Sequence, residues 1–346
     1  MRIGILANGL SRGGAERQAA QWAAVVAQWP DAELSILAVD PADRLYALPD
    51  GVPVTQVGKR HGADLARVFR AIRRFVRDLD LAICFQPYPA IFCIGSSTPV
   101  LLVTGDDPRY HWDDSGVPNR VIDAAFRNAA AACAPDPQLV DCYRDRGVRA
   151  RGPWLCIPNI VDDAGFIPSA PEKHGALFVG RLEEQKDPLL AVDACAAAGV
   201  ALTVLGEGSL HDAIAERGAG SDVTLHPFTS RPWELYARHR ALLLSSRYEP
   251  FGNVIVESLA AGTPVVSVDC DFGPRSVLAD AGFSTVVPGR DPVELGLALR
   301  TVVDRPYSEA EAEECARIAA RYRPSALDPL IRDAVERTIA GARRGR

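Results

Sequence analysis

Residues 242–268 read LLLSSRYEPFGNVIVESLAAGTPVVSV, and this stretch predicts a strand, a loop, a helix and a second strand. The apolar runs at 241–244 and 264–268 are typical of strands buried on both faces. Pro250 and Gly252 interrupt any earlier regular structure, so we expect the helix to begin near Gly252. Its buried face is predicted to carry Val254, Ile255, Ser258 and Leu259.

Two carboxylates flank the start of this helix, Glu249 before it and Glu257 inside it. A helix N-terminus with a small residue presents backbone N–H groups and the positive end of the helix dipole, which suits a diphosphate. Glu249 can accept hydrogen bonds from sugar hydroxyls, and Glu257 can take the paired hydroxyls of a ribose. The alternative is that Glu249 is an ordinary helix-start carboxylate and Glu257 a solvated surface residue.

The complete string at 249–266 is more specific than either glutamate. It closely resembles the signature of retaining nucleotide-sugar glycosyltransferases, the family called glycosyl transferases group 1, which has the GT-B architecture. The resemblance reappears along the chain in the family's order. The further segments are GGAER at 13–17, FVGRLEEQKD at 178–187 and DCDFGPR at 269–275.

The alternation of strands and helices predicts α/β domains with parallel, doubly wound sheets. Strands are expected at 33–39, 53–57, 81–85, 100–104, 130–134 and 154–157, with helices at 63–79, 118–129 and 136–146. A chain of 346 residues suits two domains of roughly 150–170 residues. The resemblance implies two Rossmann-like domains whose sheets face a central cleft. We expect an acceptor-binding domain at 1–162, a nucleotide-sugar-binding domain at 163–325 and, at 326–346, a helix that crosses back to the first domain.

Arg181 and Lys186 follow a predicted strand, and two cations at a strand end can converge on one anion. The double glycine at 13–14, taken alone, indicates a tight turn. The resemblance implies that Glu249, Arg181 and Lys186 are the catalytic residues. The donor-binding residues that it implies are Gly13, Gly14, Gly206, Phe251, Gly252, Asn253 and Glu257. Asp269 and Asp271 form a D-x-D pattern, but it falls within the group 1 segment, so no metal site is predicted.

Many proteins of this family carry a histidine just after the strand at 100–104, close to the transferred sugar. This chain departs from that pattern, because Asp106 and Asp107 occupy the region and the nearest histidine is His111. Asp106 and His111 are therefore the candidates for contact with the sugar or the acceptor. The alternative for the two aspartates is that they cap a turn.

Composition limits the partners and the location. The net charge of −6 argues against nucleic acid as the main partner. No apolar run reaches the length of a membrane span and no signal segment precedes residue 2, so a cytoplasmic protein is expected. Most of the eight cysteines lie in apolar segments and are predicted to be reduced core residues.

The predicted helix at 63–79 has two faces. Its apolar residues Leu65, Val68, Phe69, Ile72, Phe75 and Val76 are expected to point inward. Five arginines occupy the rest, at positions 67, 70, 73, 74 and 77. This basic side is either a solvated face or a surface that docks peripherally on the inner face of an anionic membrane.

The resemblance predicts an enzyme of the hexosyltransferase type. It would move a sugar from a nucleoside diphosphate sugar, with a UDP-sugar favoured, to a hydroxyl of a glycan or lipid-linked acceptor in surface polysaccharide or glycoconjugate synthesis. No cofactor or metal ion is expected. Three alternatives stay open: a UDP-sugar epimerase of the same fold, a sugar phosphorylase that needs pyridoxal phosphate, and a non-catalytic nucleotide-sugar-binding subunit.

Overall fold

The computed structural model forms two compact units. Unit 1 comprises Met1–Ile160 and Pro324–Arg346, and unit 2 comprises Val161–Arg323. The structure describes residues 1–11, 13–40, 46–58, 64–109, 118–167, 172–229 and 231–344.

Unit 1 is built on one parallel sheet flanked by helices. Its strands are β1 (Arg2–Ala7), β2 (Glu33–Ala38), β3 (Val54–Gln56), β4 (Leu81–Phe85), β5 (Val100–Val103), β6 (Ala131–Ala134) and β7 (Trp154–Cys156). Its helices are α1 (Gly14–Val26), α2 (Leu65–Val76), α3 (Pro87–Ile91), α4 (Asn119–Asn128), α5 (Pro137–Asp145) and, from the end of the chain, α13 (Pro324–Arg344). The described strands lie in the order β3-β2-β1-β4-β5-β6-β7, and all pairs are parallel. The predicted doubly wound α/β arrangement is confirmed.

Continuous burial explains why these strands read as apolar runs. Every residue of β4 and β6 is buried, because helices cover both faces of a parallel sheet. The last helix, α13, adds Leu327, Ile331 and Val335 to this core. The Nε1 of Trp29 also donates a hydrogen bond to Oδ1 of Asp328 at 2.6 Å. The C-terminal helix thus returns to unit 1, as the sequence predicted.

Helix α2 corrects one sequence expectation. Val68, Ile72 and Val76 are buried, at 0–1% exposure, but Leu65 and Phe69 are each 48% exposed rather than inward-pointing. The buried residues recur every four positions and form a narrow stripe. Leu65 and Phe69 lie beside that stripe, so the apolar pattern is wider than the surface that α2 packs against.

Unit 2 repeats the architecture with a second parallel sheet. Its strands are β8 (His174–Val179), β9 (Leu202–Leu205), β10 (Val223–His226), β11 (His239–Leu244), β12 (Tyr248–Glu249), β13 (Val265–Val268), β14 (Asp271–Phe272) and β15 (Thr285–Val287). Its helices are α6 (Pro188–Ala198), α7 (His211–Arg217), α8 (Trp233–Arg238), α9 (Asn253–Ala260), α10 (Gly273–Leu278), α11 (Pro292–Val303) and α12 (Glu309–Ala319). Short 3₁₀ turns lie at Asp163–Gly165 and Ala320–Tyr322. Among the described strands, the main sheet has the order β10-β9-β8-β11-β13-β15, and β12 pairs with β14.

Most of the cysteines are buried. All eight cysteines are free thiols, and six of them are buried. Burial raises the pKa of the Cys195 thiol to about 12, which keeps it protonated at neutral pH.

Among the helices of the described residues, none combines the length and the apolarity needed to cross a bilayer.

A buried charge network ties β11 to α12 in unit 2. Arg240 and Glu311 have side chains only 5% and 0% exposed, and Nη1 of Arg240 lies 2.7 Å from Oε1 of Glu311. Arg305 pairs with the other carboxylate oxygen at 2.9 Å. Arg240 also donates to the carbonyl oxygens of Val302 and Arg305. Among the described residues, Nε of Arg240 has no hydrogen-bond partner, whereas both of its Nη atoms do. Removing one member of the network leaves the others buried without their charge partner.

We expect Glu311→Ala to lower the free energy of unfolding by about 3–5 kcal/mol, because the Arg240 guanidinium would stay buried without its carboxylate. Urea unfolding of the variant and the wild type gives the difference. Glu313→Ala, at an exposed position on the same helix, is the matched control and should change stability by less than about 0.5 kcal/mol. Equal effects of the two substitutions would show that the network does not stabilise unit 2.

Candidate functional site

The candidate site of unit 2 lies where the strand order reverses. β8 and β11 are neighbours in the sheet, with β9 and β10 on one side and β13 and β15 on the other. Ligands of open parallel sheets bind beyond the carboxyl ends of the strands at such a switch point. Two loops start there, 180–187 after β8 and 245–252 after β11. The first carries Arg181 and Lys186, and the second carries Glu249.

Lys186 and Glu249 form an ion pair between Nζ and Oε2. Their side chains are only 15% and 9% exposed. The hydroxyl of Ser246 donates a hydrogen bond to the same carboxylate oxygen at 3.3 Å. Because the pair is largely shielded from water, its attraction is screened less than that of a surface pair. The structure therefore brings a predicted phosphate-binding cation and a predicted sugar-binding carboxylate into direct contact.

Helix α9 begins beside this pair, at a glycine that the backbone requires. Gly252 is the N-cap, with φ 86° and ψ 61°, a left-handed conformation. A Cβ there would lie 2.6 Å from the side chain of Ile255 and 3.3 Å from Cγ of Glu249. Gly252 has no side chain with which to cap the helix, and the N–H of Ile255 is bonded to the carbonyl oxygen of Gly252 at 2.9 Å. The positive end of the helix dipole, at the start of α9, suits an anion.

Two buried residues lie on either side of this helix start: Phe251 before it and Glu257 within the helix. Glu257 is 2% exposed, and its Oε2 accepts a hydrogen bond from the hydroxyl of Tyr236 at 2.8 Å. Phe251 is 4% exposed and packs against Tyr322 with ring centroids 5.5 Å apart. Glu249 is also buried, at 7% exposure. Glu257 is therefore not the solvated surface residue of the alternative interpretation.

The loop after β8 is anchored closely to the loop after β9. A Cβ on Gly206 would lie 1.9 Å from the carbonyl oxygen of Gly180, so only glycine permits this approach. Arg181 is exposed, and its Nη2 donates to Oε1 of Gln185 at 2.6 Å. Hydrogen bonds from Ser209 lower the pKa of the Glu183 carboxyl below its ordinary value. That carboxylate is engaged in holding the loop.

In unit 1 the predicted residues lie at strand ends of the other sheet. Gly13 is the N-cap of α1, next to Gly14, and its carbonyl accepts a hydrogen bond from Tyr46. Burial raises the pKa of Glu16, and the negative charges of Asp106 and Asp40 act in the same direction. The ends of β1, β2 and β5 therefore share an acidic environment. His111 lies outside the described residues.

Two other carboxylates near the predicted sites are occupied by arginines. Asp107 is fully buried and binds Arg109 through both of its oxygens, at 2.6–3.1 Å. Asp269, the first aspartate of the D-x-D pattern, accepts from Nε of Arg275 at 2.9 Å. Within the described residues, no group of three or more His, Cys, Asp or Glu side chains is arranged to hold a metal ion.

Sequence reasoning missed four residues that support these side chains. Tyr236 binds Glu257, Ser246 binds Glu249, and Asp187 and Arg290 brace the turn that carries Lys186. Tyr236 and Arg290 are far in sequence from their partners, so no local spacing indicates them. The sequence could have indicated Asp187 and Ser246 by their positions in the loops that begin at the switch point: Asp187 ends the first loop, and Ser246 lies near the start of the second. Binding roles for all the predicted site residues stay predictions.

Comparison with known proteins gives a family match for the second part of the chain. Residues 164–321 match the family model "Glycosyl transferases group 1". A Campylobacter jejuni transferase, N-acetylgalactosamine-N,N'-diacetylbacillosaminyl-diphospho-undecaprenol 4-alpha-N-acetylgalactosaminyltransferase, is 29% identical over 168 residues, which is 46% of this chain and 45% of that protein. Mycobacterium tuberculosis glycogen synthase is 32% identical over 182 residues, 49% of this chain and 43% of that protein. The chain thus spans about half the length of these curated relatives.

A solved structure matches nearly the whole chain. Anabaena HepE in complex with UDP-glucose superposes with a TM-score of 0.79 at 18% identity, covering 97% of this chain and 99% of that one. Together with the two parallel sheets, this likeness defines a protein of the GT-B fold class. The match to the glycosyl transferases group 1 model covers residues 164–321, and this segment contains the site described above.

Tyr236→Phe tests the support of Glu257. Removing the hydroxyl takes away a hydrogen bond to a carboxylate, which is worth about 1.5–3 kcal/mol. We expect a loss of stability of that size and a higher dissociation constant for UDP, measured by urea unfolding and calorimetry. Tyr307→Phe, at a half-buried position of the same unit, is the control and should change neither. If UDP binds Tyr236→Phe and the wild type equally, the hydroxyl has no role in positioning Glu257 for a nucleotide.

Proposed function

We propose that the protein is a retaining glycosyltransferase that moves a sugar from a UDP-sugar to a hydroxyl of a glycan or lipid-linked acceptor, in surface polysaccharide or glycoconjugate assembly. One observation carries the proposal. The shielded pair of Lys186 and Glu249 stands at the switch point of unit 2, beside the glycine-capped start of α9. On this proposal, a cation that binds phosphate, a carboxylate that binds the sugar and a helix end that binds an anion lie next to one another.

The donor follows from the chemistry of these groups. Arg181, Lys186 and the amides at Gly252 and Asn253 would neutralise the diphosphate as the glycosidic bond breaks. Glu249 would bind hydroxyls of the transferred sugar, and Glu257 the ribose. HepE, which shares this fold, has been solved with UDP-glucose, and this supports a UDP-sugar.

The proposed chemistry assigns the protein a charge-stabilising and positioning role. As an oxocarbenium-like sugar forms, the leaving phosphate takes the proton of the acceptor hydroxyl, and the new bond forms on the face that the phosphate leaves. Lys186 and Arg181 stabilise the charge that develops on the phosphate. We propose that this proceeds without a metal ion, since the cationic side chains and the helix end supply the positive charge.

A lipid-linked acceptor is supported by a relative and by the surface of unit 1. The Campylobacter jejuni transferase is named for a diphospho-undecaprenol substrate. In this chain, Leu65 and Phe69 of α2 are exposed, and so is Ile94, at 38%. Arg73 contacts both Ile94 and Phe69. It donates to the carbonyl oxygens of Ile94 and Gly95 at 3.1 Å, and its guanidinium lies 5.8 Å from the Phe69 ring. We call Leu65, Phe69, Ile94 and the arginines of α2 the α2 patch.

Charge complementarity indicates what the α2 patch would contact. Residues 65–77 contain five arginines and no acidic residue, although the whole chain carries a net charge of −6. Exposed apolar side chains on a helix that also carries arginines suit the interface of an anionic bilayer, where each basic residue contributes about 1 kcal/mol. We propose that this patch holds the enzyme at the membrane that carries its acceptor.

The donor site is tested by nucleotide binding. We expect UDP to raise the thermal stability of the wild type, by about 2.7 kcal/mol at a hundredfold excess over its dissociation constant, and GDP, ADP and dTDP to act more weakly. Arg181→Ala and Lys186→Ala should lose most of this stabilisation, because each removes a cation facing the diphosphate. Arg217→Ala, on an exposed ion pair of the same unit, is the control and should keep it.

Three results would contradict the proposal. Stabilisation by none of the four nucleotides would remove the donor site. Equal stabilisation of Lys186→Ala and the wild type would place the diphosphate elsewhere. With UDP-glucose and an acceptor, an inverted anomeric centre in the product, observed by proton NMR, would exclude the retaining course.

The α2 patch is tested by co-sedimentation with vesicles. The wild type should bind phosphatidylcholine vesicles only when they contain phosphatidylglycerol, and binding should fall as salt increases. Arg70→Gln/Arg74→Gln removes two charges and should weaken binding about 30-fold, from about 1 kcal/mol for each arginine. Leu65→Ser/Phe69→Ser should weaken binding by removing the apolar part of the contact.

The matched control for the apolar pair is Val293→Ser/Leu297→Ser on α11 in unit 2. These residues are 56% and 64% exposed, so they are at least as accessible as Leu65 and Phe69. Their replacement should leave vesicle binding unchanged. Equal losses in the two double variants, or wild-type binding to neutral vesicles, would show that the α2 patch is not a specific contact with anionic lipid.

A further inference from the structure

The residue after Lys186 has an unusual backbone. Asp187 has φ 45° and ψ 59°, the left-handed conformation that glycine adopts readily and other residues rarely do. It is the N-cap of α6, and its Oδ1 accepts from the backbone N–H of Leu190 at 3.4 Å. Strained residues of this kind persist where the surrounding structure holds them, and they concentrate at functional sites.

Arg290, which lies 103 positions further along the chain, binds the side chain of Asp187 and holds it in place. Its Nη2 donates to Oδ2 of Asp187 and to the carbonyl oxygen of Ser245, both at 2.7 Å. Its Nη1 donates to the carbonyl oxygen of Ser246 at 2.8 Å. The Arg290 side chain is 33% exposed, and Asp187 is 17% exposed. A second guanidinium, that of the more exposed Arg247, lies 3.3 Å from the same carboxylate oxygen.

The serines extend this contact to both members of the central ion pair. The hydroxyl of Ser245 donates to the carbonyl oxygens of Lys186 and Asp187, at 3.0 and 2.8 Å. The hydroxyl of Ser246 donates to the carboxylate of Glu249. Arg290 thus bonds to the backbone of two residues that in turn bond to the Lys186 turn and to Glu249. The guanidinium fixes the register between the loop after β8 and the loop after β11.

We propose that Arg290 is a positioning residue of the donor site, acting through Asp187, Ser245 and Ser246. It holds the Lys186 turn and the Glu249 loop at a fixed separation, so that the ammonium meets the diphosphate while the carboxylate meets the sugar. This inference rests on the proposed function of the Lys186–Glu249 pair. Such preorganisation is most effective when the charged groups need not rearrange as the bond breaks.

The geometry requires an arginine. The planar guanidinium reaches one carboxylate and two carbonyl oxygens at once, because its two Nη atoms point in fixed directions. A lysine presents a single nitrogen at one point and cannot span the same three acceptors. Arg290→Lys therefore keeps the charge and loses the brace, which separates an electrostatic role from a positioning role.

The experiment compares the wild type with Arg290→Gln, Arg290→Lys, Asp187→Asn and the double variant Asp187→Asn/Arg290→Gln. Asparagine tolerates the left-handed conformation and can still cap α6 through its one oxygen. Asp187→Asn thus removes the charge and replaces the oxygen that accepts from Arg290 by an NH2 group that cannot accept. UDP binding is measured by calorimetry, and kcat and KM are obtained from UDP release with UDP-glucose. All measurements are made well below the unfolding temperature of the least stable variant.

We expect Arg290→Gln to lower kcat/KM about 10- to 100-fold, mainly through kcat, because small displacements of positioned groups have effects of this size. UDP should still bind. Arg290→Lys should not restore kcat. The double variant should be no slower than Arg290→Gln alone, since residues that act through one contact are not additive. Arg217→Gln, which breaks the exposed pair with Asp193 on α6, is the matched control and should leave kcat/KM unchanged.

The outcomes separate this inference from the proposed function. If the wild type binds no nucleotide, the donor site is absent and both proposals fail. If UDP binds and Arg290→Gln or Arg290→Lys has the kcat/KM of the wild type, the brace is only structural and this inference alone fails. Fully multiplicative effects in the double variant would show that Arg290 does not act through Asp187.

Discussion

The shielded ion pair between Lys186 and Glu249 is the constraint on which the site depends. Two oppositely charged side chains with little exposure can stay ionised only if each faces the other or another polar partner. Their loops follow β8 and β11, which are far apart in sequence but adjacent in the sheet. Parallel order brings the carboxyl ends of these strands to one edge, so the fold itself delivers the pair to the switch point.

Around this pair, most charged groups are already matched before any ligand arrives. Asp187 is shared by Arg290 and Arg247, and Glu249 is paired with Lys186. The exposed Arg181 lies in the same loop as Glu183, and its charge helps to lower the pKa of that carboxyl. The cations Lys186 and Arg181, next to the start of α9, suit a dianionic group. The carboxylates hold the cations in place.

The sequence predicted the parts of this site that depend on local pattern. The strands β8 and β11 are apolar runs, the start of α9 follows Pro250 and Gly252, and each loop has its charged residues at a strand end. It did not predict β12 or β14, because two-residue strands carry no periodicity. Nor could spacing reveal that Tyr236 contacts Glu257 or that Arg290 contacts Asp187, 103 positions away. The exposure of Leu65 and Phe69 was missed for a related reason: a helical pattern shows which side is apolar, but not how much of that side a neighbour covers.

The two glutamates of the helix segment contact different side chains, and on the proposed function they bind different parts of a nucleotide sugar. Glu249 faces an ammonium group, whereas Glu257 accepts a hydrogen bond from the neutral hydroxyl of Tyr236. On the proposed function, a diphosphate that attracts Lys186 leaves Glu249 free to accept hydrogen bonds from the sugar. On the same proposal, Glu257 keeps the hydrogen bond from Tyr236 when it takes up ribose hydroxyls. Binding is then an exchange of partners among groups that are already buried, so neither carboxylate has to be desolvated when the donor arrives.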